Sequence, residues 1–453
     1  MRAAVAQETV PTLVAQAQAA YAAQDMATAC AAIDAAVAQA PDHPALSFMR
    51  AQFHWEGWFD AVPLFERAAQ LNPGNPDIVR NFALALASEG QGGRATRLLE
   101  GILARSSGWV EGHNTLATLR TTAGEDDPLR SFAEAVQCEP GNAALIQAWF
   151  HKVVAGKDWE EARKILAHGK FPLLRLWLDC ESGAANADPE IFAAHAGSND
   201  PGLALLQVRH ALRHGDPARA LVLAEAQLGT SHEGQFWPYL DLCWRLMGDD
   251  RADWLEGNFT NAIDLELPQA TLAELATFLR GLHRMSAPYP EQSVRGGTQT
   301  ERNLLLHHDP LVMALRRKIE AVVEQWRDGL PQGASHLLLS RKPADIRFSG
   351  SWSVRLAGGG HHSAHTHPQG WASSALYIVV PPETGRDHAG ELALGMPPPE
   401  LGLGLGPTQY ITPKPGRLAL FPSTTWHGTV PFEGEERLTM AFDVAPQMTG
   451  STK

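Results

Sequence analysis

The first 255 residues repeat, and that periodicity limits the fold more than any other feature of the chain. Turn signals recur at Gln24-Asp25, Gly57, Gly90, Gly124, Gly156, Gly215 and Gly248, most of them 32 to 34 residues apart. A second series, Pro41, Pro73, Ser107 and Pro140, closes the units. Between the marks the sequence is rich in Ala and Leu at helical spacing, as in Ala61-x3-Phe65-x2-Ala68 before Pro73 and Phe132-x2-Ala135 before Pro140. Apolar residues at that spacing share one helix face. Small residues let two helices approach closely. The ends Asn72-Pro-Gly-Asn75 and Glu139-Pro-Gly-Asn142 stop one unit and start the next. The expectation is a stack of helix–turn–helix units, one per repeat. The pattern is strong from about 13 to 160 and degraded between 165 and 212. It returns weakly at Gly215-Asp-Pro-Ala-Arg-Ala220 and Gly248-Asp-Asp-Arg-Ala252.

Beyond 255 the period changes from helical to alternating. Ser351-Trp-Ser-Val-Arg-Leu356, Ser374-Ala-Leu-Tyr-Ile-Val-Val380, Gly416-Arg-Leu-Ala-Leu-Phe421 and Arg437-Leu-Thr-Met-Ala-Phe-Asp-Val444 read as strands. They frame His365-Thr366-His367 and His427, with Arg437 ten residues after His427. Residues i and i+2 share a strand face, so His365 with His367, and Arg437 with Thr439, can point the same way. Neutral imidazole suits Fe(II), and three facial protein ligands leave open positions for a bidentate cosubstrate and dioxygen. The usual set is two His and one carboxylate. Here His367 holds the carboxylate's place, and an anionic chelator such as a 2-oxoacid would offset the extra charge. Arg437 would pair its planar fork with the distal carboxylate of that chelator, and the Thr439 hydroxyl would add a hydrogen bond. Tyr377 reads equally as a chelator contact and as a packing aromatic. Arg355 reads as a second anion contact or as a strand residue paired with an acid elsewhere. His361 and His362, after Gly358-Gly-Gly360, are expected in a loop at the mouth, and Trp352, Trp371 and Trp426 chiefly in the core.

The units over the first 255 residues resemble the tetratricopeptide (TPR) repeat, and residues from about 290 to 447 resemble the bacterial 2-oxoglutarate/Fe(II) oxygenases that carry TPR repeats. The resemblance rests on Gln292-Ser-Val-Arg-Gly-Gly-Thr-Gln-Thr300, Ser351–Leu356 and His365-Thr-His-Pro-Gln-Gly-Trp-Ala-Ser-Ser374, followed by Phe421-Pro-Ser-Thr-Thr-Trp-His-Gly-Thr-Val-Pro431 and Arg437–Asp443. More distantly the segment is similar to prolyl and aspartyl/asparaginyl hydroxylases. The resemblance implies a double-stranded β-helix, or jelly roll, with flanking helices. It implies His365 and His427 as the iron pair, His367 in the slot of the usual Asp, and Arg437 as the 2-oxoglutarate anchor. Some relatives use two His only, so His367 is either the third ligand or a pocket residue.

The expected division is a helical repeat domain over 1–255, an oxygenase domain over 256–447 and a disordered tail over 448–453. Helices are expected near Thr271–Met285, with Thr271 as N-cap and Glu274 three residues on, and near Pro310–Gln325. Pro397–Gly406 reads as a loop between strands. The formal charge of −13 comes with no long basic run. That argues against nucleic acid, whose binding needs Lys and Arg on phosphates, and against a membrane surface. Cys30, Cys138, Cys180 and Cys243 are widely spaced with no C-x-x-C, which suggests neither a zinc knuckle nor a disulfide framework. Neither a signal peptide nor a spanning segment is seen, so a cytoplasmic protein is the expectation.

The function expected is hydroxylation of a C–H bond by Fe(II), 2-oxoglutarate and dioxygen, on a protein or peptide recruited by the repeats. The rivals are a small-molecule hydroxylase whose repeats serve assembly as a homodimer, a three-His thiol-dioxygenase-like enzyme without 2-oxoglutarate, and a scaffold without turnover. Because every assigned site residue lies beyond 350, a chain beginning near Glu256 is expected to bind iron and 2-oxoglutarate.

Overall fold

The computed structural model describes residues 8–289, 291–333, 335–381 and 387–447. The tail at 448–453 and the first seven residues therefore lie outside the described residues. A helical N-terminal region is followed by antiparallel sheet. By packing, the chain divides into two compact units. The first comprises 1–148 with 284–287 and 301–319, and the second comprises 149–283, 288–300 and 320–453. The expected boundary at 255 falls inside the second unit.

The first unit is built of consecutive helices, Val10–Ala22, Met26–Gln39, Pro44–Glu56, Val62–Leu71, Pro76–Ser88, Gly92–Leu103, Val110–Ala123 and Arg130–Cys138. The turns between paired helices need a left-handed residue, supplied by Gln24, Trp58, Gly90 and Gly124 at φ of 60°, 65°, 76° and 77°. The Gly57 signal is thus one residue early. Starts follow capping chemistry. Asp25 accepts from Thr28 N at 3.1 Å, and Asn75 from Asp77 N at 2.9 Å, with Pro76 in the first helical turn. Phe65, Phe82, Leu86 and Leu99 fill one core, and Ala68 is also buried, so the repeat pattern reads out as buried helix faces.

In the second unit the helices Pro201–Arg213, Pro217–Glu225 and Trp237–Met247 pack around Phe236, Leu240, Leu242 and Cys243, a core that Leu401 and Trp426 also enter. Helix Gln269–Leu282 begins two residues before the expected N-cap. Pro268 precedes it, and no side chain caps it. Helix Pro310–Gly329 runs four residues past its expected end.

The described residues form nine strands, the first two interleaved with these last helices: β1 (Asn261–Asp264), β2 (Val294–Gln299), β3 (Phe348–His362), β4 (Ala372–Val379), β5 (Leu392–Leu394), β6 (Gln409–Ile411), β7 (Arg417–Pro422), β8 (His427–Thr429) and β9 (Arg437–Val444). One antiparallel sheet runs β1-β7-β4-β9-β3-β2, and a smaller one β6-β5-β8. Leu392, Leu394 and Ile411 of the small sheet pack on Ala375, Ala419 and Phe421 of the large one. β3 extends through His361 and His362, because β2 pairs with it to the end (Val294↔His362, Arg295↔His361). These two residues are therefore strand, not the expected loop. The segment 397–406 is irregular apart from one turn of 3-10 helix at Pro399–Leu401, as expected.

Candidate metal centre

Two strand partners bring the histidines together. His365 and His427 form an isolated antiparallel bridge, each backbone N–H donating to the other's carbonyl at 3.0 Å. The His367 N–H donates to Ser423 O at 2.8 Å. The ring centroids of His365 and His427 are 4.2 Å apart, with His367 5.0 Å from the first and 5.1 Å from the second. One nitrogen from each ring lies within 4.8 Å of the other two, a group that can hold a metal ion.

The far side of each ring is tied down. His365 Nδ1 meets Ser363 O at 2.8 Å, His427 Nδ1 meets Thr425 O at 2.9 Å, and His367 Nδ1 meets Asp443 Oδ2 at 2.6 Å. A carbonyl or carboxylate can only accept. Each Nδ1 is therefore the protonated nitrogen, and each Nε2 keeps its lone pair for a ligand bond. Burial, with the neighbouring His367, pushes His365 down to about 3, and burial holds His427 well below the usual histidine range. Both are thereby kept in the neutral form that ligates. Ser293 Oγ lies 3.3 Å from His365 Nε2 and 3.1 Å from His362 Nδ1.

The three histidines open onto a cavity of about 350 Å³ between the sheets, which Arg437, Thr439, Thr429, Trp352 and Gln299 also line. Arg437 is 2% exposed. It donates from Nη1 to Thr429 Oγ1 at 2.8 Å and lies 5.1 Å from the Tyr377 ring centroid. No carboxylate pairs with it among the described residues. Its Nε and the Tyr377 hydroxyl are buried side by side, each the other's polar neighbour but neither in good hydrogen-bond geometry. Buried polar groups are normally satisfied, and a charged one strongly so. This pair fits the carboxylate of a bound anion.

The remaining expectations sort by strand parity. Trp352 and Val354 of β3 face the cavity, and the Trp352 ring lies 5.5 Å from His367. Arg355 stands on the opposite face. Its Nε donates to Glu436 Oε1 at 2.6 Å, and Arg280 holds the same carboxylate. Arg355 is a strand residue paired with an acid, and the anion-contact reading is corrected. Trp371 donates to Leu338 O and Trp426 to Pro238 O, so both are core residues. His362 lines the cavity, whereas His361 does not. Sequence reasoning missed Asp443, the acceptor behind His367. The signal was present, since 437, 439, 441 and 443 share one face of β9.

Residues 350–443 match the family model described as "Putative 2OG-Fe(II) oxygenase". No curated protein matches the sequence. Among solved structures the chain is similar to a Pseudomonas putida prolyl-4-hydroxylase, at 18% identity over 44% of this chain and 98% of that one, with a TM-score of 0.29. It is similar to a Trichoplax adhaerens prolyl hydroxylase solved with a hypoxia inducible factor peptide fragment, at 15% identity over 45% and 93%, TM-score 0.30. A Burkholderia pseudomallei oxidoreductase of the 2OG-Fe(II) oxygenase family gives 13% identity over 43% and 88%, TM-score 0.29. Likeness at this level carries nothing about substrate. The family match makes residues 350–443 a 2OG-Fe(II) oxygenase domain, with Fe(II) and 2-oxoglutarate as its cofactors. Among the described residues no helix is long and apolar enough to cross a membrane.

Proposed function

We propose that this chain is a 2-oxoglutarate/Fe(II) dioxygenase that hydroxylates a C–H bond of a protein or peptide presented by its helical repeats. In this reading the two sheets are a double-stranded β-helix and the helix pairs are TPR-type units. His365, His367 and His427 hold iron through Nε2. Arg437 holds the distal carboxylate of 2-oxoglutarate, with hydrogen bonds from Thr439 and Tyr377. One observation carries the reading. Three imidazoles that hold their protons on Nδ1 share a cavity with a buried guanidinium that has no carboxylate of its own. Arg437 also weighs against a thiol-dioxygenase-like reaction, which needs no dianion anchor.

Iron held by His365, His367 and His427 would supply the coupling of 2-oxoglutarate decarboxylation, in which succinate takes one dioxygen atom and carbon dioxide leaves, to insertion of the other atom into the substrate C–H bond. The chain orients the imidazoles by their Nδ1 acceptors and neutralises the chelator. Val354, Ala375, Leu392 and Phe421 keep the cavity partly apolar. Support for a polypeptide substrate is the run of stacked helix pairs, an architecture suited to an extended segment.

Anaerobic Fe(II) loading followed by 2-oxoglutarate should give a visible charge-transfer band. Absence of the band with iron bound would exclude bidentate 2-oxoglutarate. For the substrate, the full chain is incubated with labelled dioxygen, 2-oxoglutarate and fractionated cell proteins. The label should appear in a peptide side chain. Label recovered in a small molecule instead would favour the small-molecule hydroxylase.

A further inference from the structure

We propose that Asp443 is the positioning residue for His367, and that it returns to the metal site, one residue further out, the negative charge that three neutral ligands lack. The inference rests on the reading that His365, His367 and His427 bind a divalent metal.

The geometry singles out one ligand. His365 and His427 give their Nδ1 protons to backbone carbonyls, which are neutral. His367 alone gives its proton to a carboxylate, at 2.6 Å. The other carboxylate oxygen, Oδ1, accepts from Ser373 Oγ at 2.6 Å. Both oxygens are thus engaged, and the plane of the carboxylate is fixed. Ser373 and Asp443 are register partners across β4 and β9, so the sheet itself sets their separation. The side chains of His367 and Asp443 are 19% and 15% exposed, so the pair is largely withdrawn from water and its interaction is little screened.

The chemistry follows from charge. A carboxylate at position 367 would touch the metal directly. Here an imidazole stands there, and a carboxylate of β9 stands behind it. An Nδ1–H donated to a carboxylate makes Nε2 more electron-rich and fixes both tautomer and ring plane. A neutral acceptor in the same place does the second job and only part of the first. Arg437, Thr439, Ala441 and Asp443 lie on one face of β9. A single strand therefore carries the anion anchor towards one end and the carboxylate behind a ligand at the other.

The test uses the full chain with Co(II) alone as the probe. Asp443→Asn keeps an oxygen for His367 and a polar partner for Ser373 while removing the charge. Asp443→Ala removes both. Removal of such outer partners typically lowers metal affinity 10- to 100-fold. Asp443→Asn should bind Co(II) about 10-fold more weakly than the unaltered chain, with a shifted visible spectrum. ¹⁵N spectra of the metal-free proteins should show His367 protonated at Nδ1 in the unaltered chain and in the Asn variant, and a mixture of tautomers in the Ala variant. Melting temperatures identify a variant that fails to fold. If Asp443→Ala does so, Asp443→Asn carries the affinity test alone. Co(II) affinity of Asp443→Asn equal to that of the unaltered chain would overturn the proposal. A different result bears on the underlying reading. If the unaltered chain does not bind Co(II), or His367→Ala binds it equally well, the three-His site fails, and this inference fails with it.

Discussion

Removing everything before Glu256 leaves each proposed ligand in place, yet the structure predicts that the shortened chain loses the metal site. The reason is Trp426, the residue before His427. It is 6% exposed, donates Nε1–H to Pro238 O at 2.9 Å and meets the Tyr239 ring edge-on at 5.4 Å. Its own carbonyl accepts from Gly395 N at 2.7 Å. Arg245 then donates to Gly395 O and Gly406 O, each at 2.6 Å, closing the helix 237–247 over the β5–β6 connection. Truncation strips this cover. Exposing Trp426 and Leu401 costs about 1.5–3 kcal/mol each. The three hydrogen bonds from Trp426 and Arg245 are worth about 0.5–1.5 kcal/mol each, more where charged. The loss is of order 5–10 kcal/mol, comparable with the entire stability of an ordinary domain. The assay is thermal unfolding by circular dichroism together with Co(II) titration of both chains. Trp426→Ala in the full chain is the milder form, expected to cost about 3–5 kcal/mol. A chain from Glu256 that melts with the full-length protein and binds Co(II) equally would refute the reasoning, and would restore the expectation drawn from site positions alone.

Other expectations follow from the same contacts. His365→Ala and His427→Ala should each abolish stoichiometric Fe(II), measured by metal analysis after desalting. His367→Asp would set a second carboxylate near Asp443, so it should bind Fe(II) less well than the double variant His367→Asp/Asp443→Asn; the reverse order would show that the two side chains do not meet. Arg437→Ala should weaken 2-oxoglutarate by about two to nearly four decades, since breaking a buried charge pair on one side costs about 3–5 kcal/mol. Arg437→Lys should also be impaired for want of the fork. By linkage, 2-oxoglutarate at 100 times its Kd should stabilise the metal-loaded chain by about 2.7 kcal/mol and leave Arg437→Ala unmoved, read as a shift in Tm. Burial pushes Glu181 upward, but hydrogen bonds and charge from Arg209 and Arg213 outweigh it and hold the carboxyl at about 2. Its folded value lies below the unfolded one of about 4.3. Its contribution is therefore present above pH ~4.3 and lost as pH falls towards 2, at most about 3 kcal/mol. Glu181→Gln should flatten that acid limb of stability.

What the sequence disclosed depended on the length of each pattern. β9 spans eight alternating residues, and its limits, Arg437–Val444, match the expectation. β5, β6 and β8 have three residues each, too few for alternation to register. The helical turns were visible through Gly and Asp. Where the left-handed residue is Trp58 or Lys157, the neighbouring Gly57 and Gly156 drew attention one position early. Arg355 shows a different limit. Alternation groups it with Ser353 and against Trp352 and Val354, but says nothing about which group faces the cavity. The roles of Pro238, Tyr239 and Arg245 were hidden for a related reason. An apolar helix face has the same period whether it meets the next helix or the loop beside a ligand.

Charge gives these parts a common logic. Glu291 is the one carboxylate among the described residues lining the cavity, and Lys152 pairs with it at 2.7 Å. The remaining polar lining is imidazole, hydroxyl, amide and the guanidinium of Arg437. Folding has therefore buried a cation beside a set of neutral metal donors without supplying the anion that would compensate it. An unpaired buried charge is costly, and the sheet tolerates this one because β9 is held on both edges by β3 and β4. In the function proposed above, a dianion would meet the deficit, with one carboxylate on Arg437. A neutral or cationic ligand would leave it in place. On that proposal, preference for an acidic chelator would be set by what the fold leaves unpaired, since Asp443 is already engaged by His367 and Ser373.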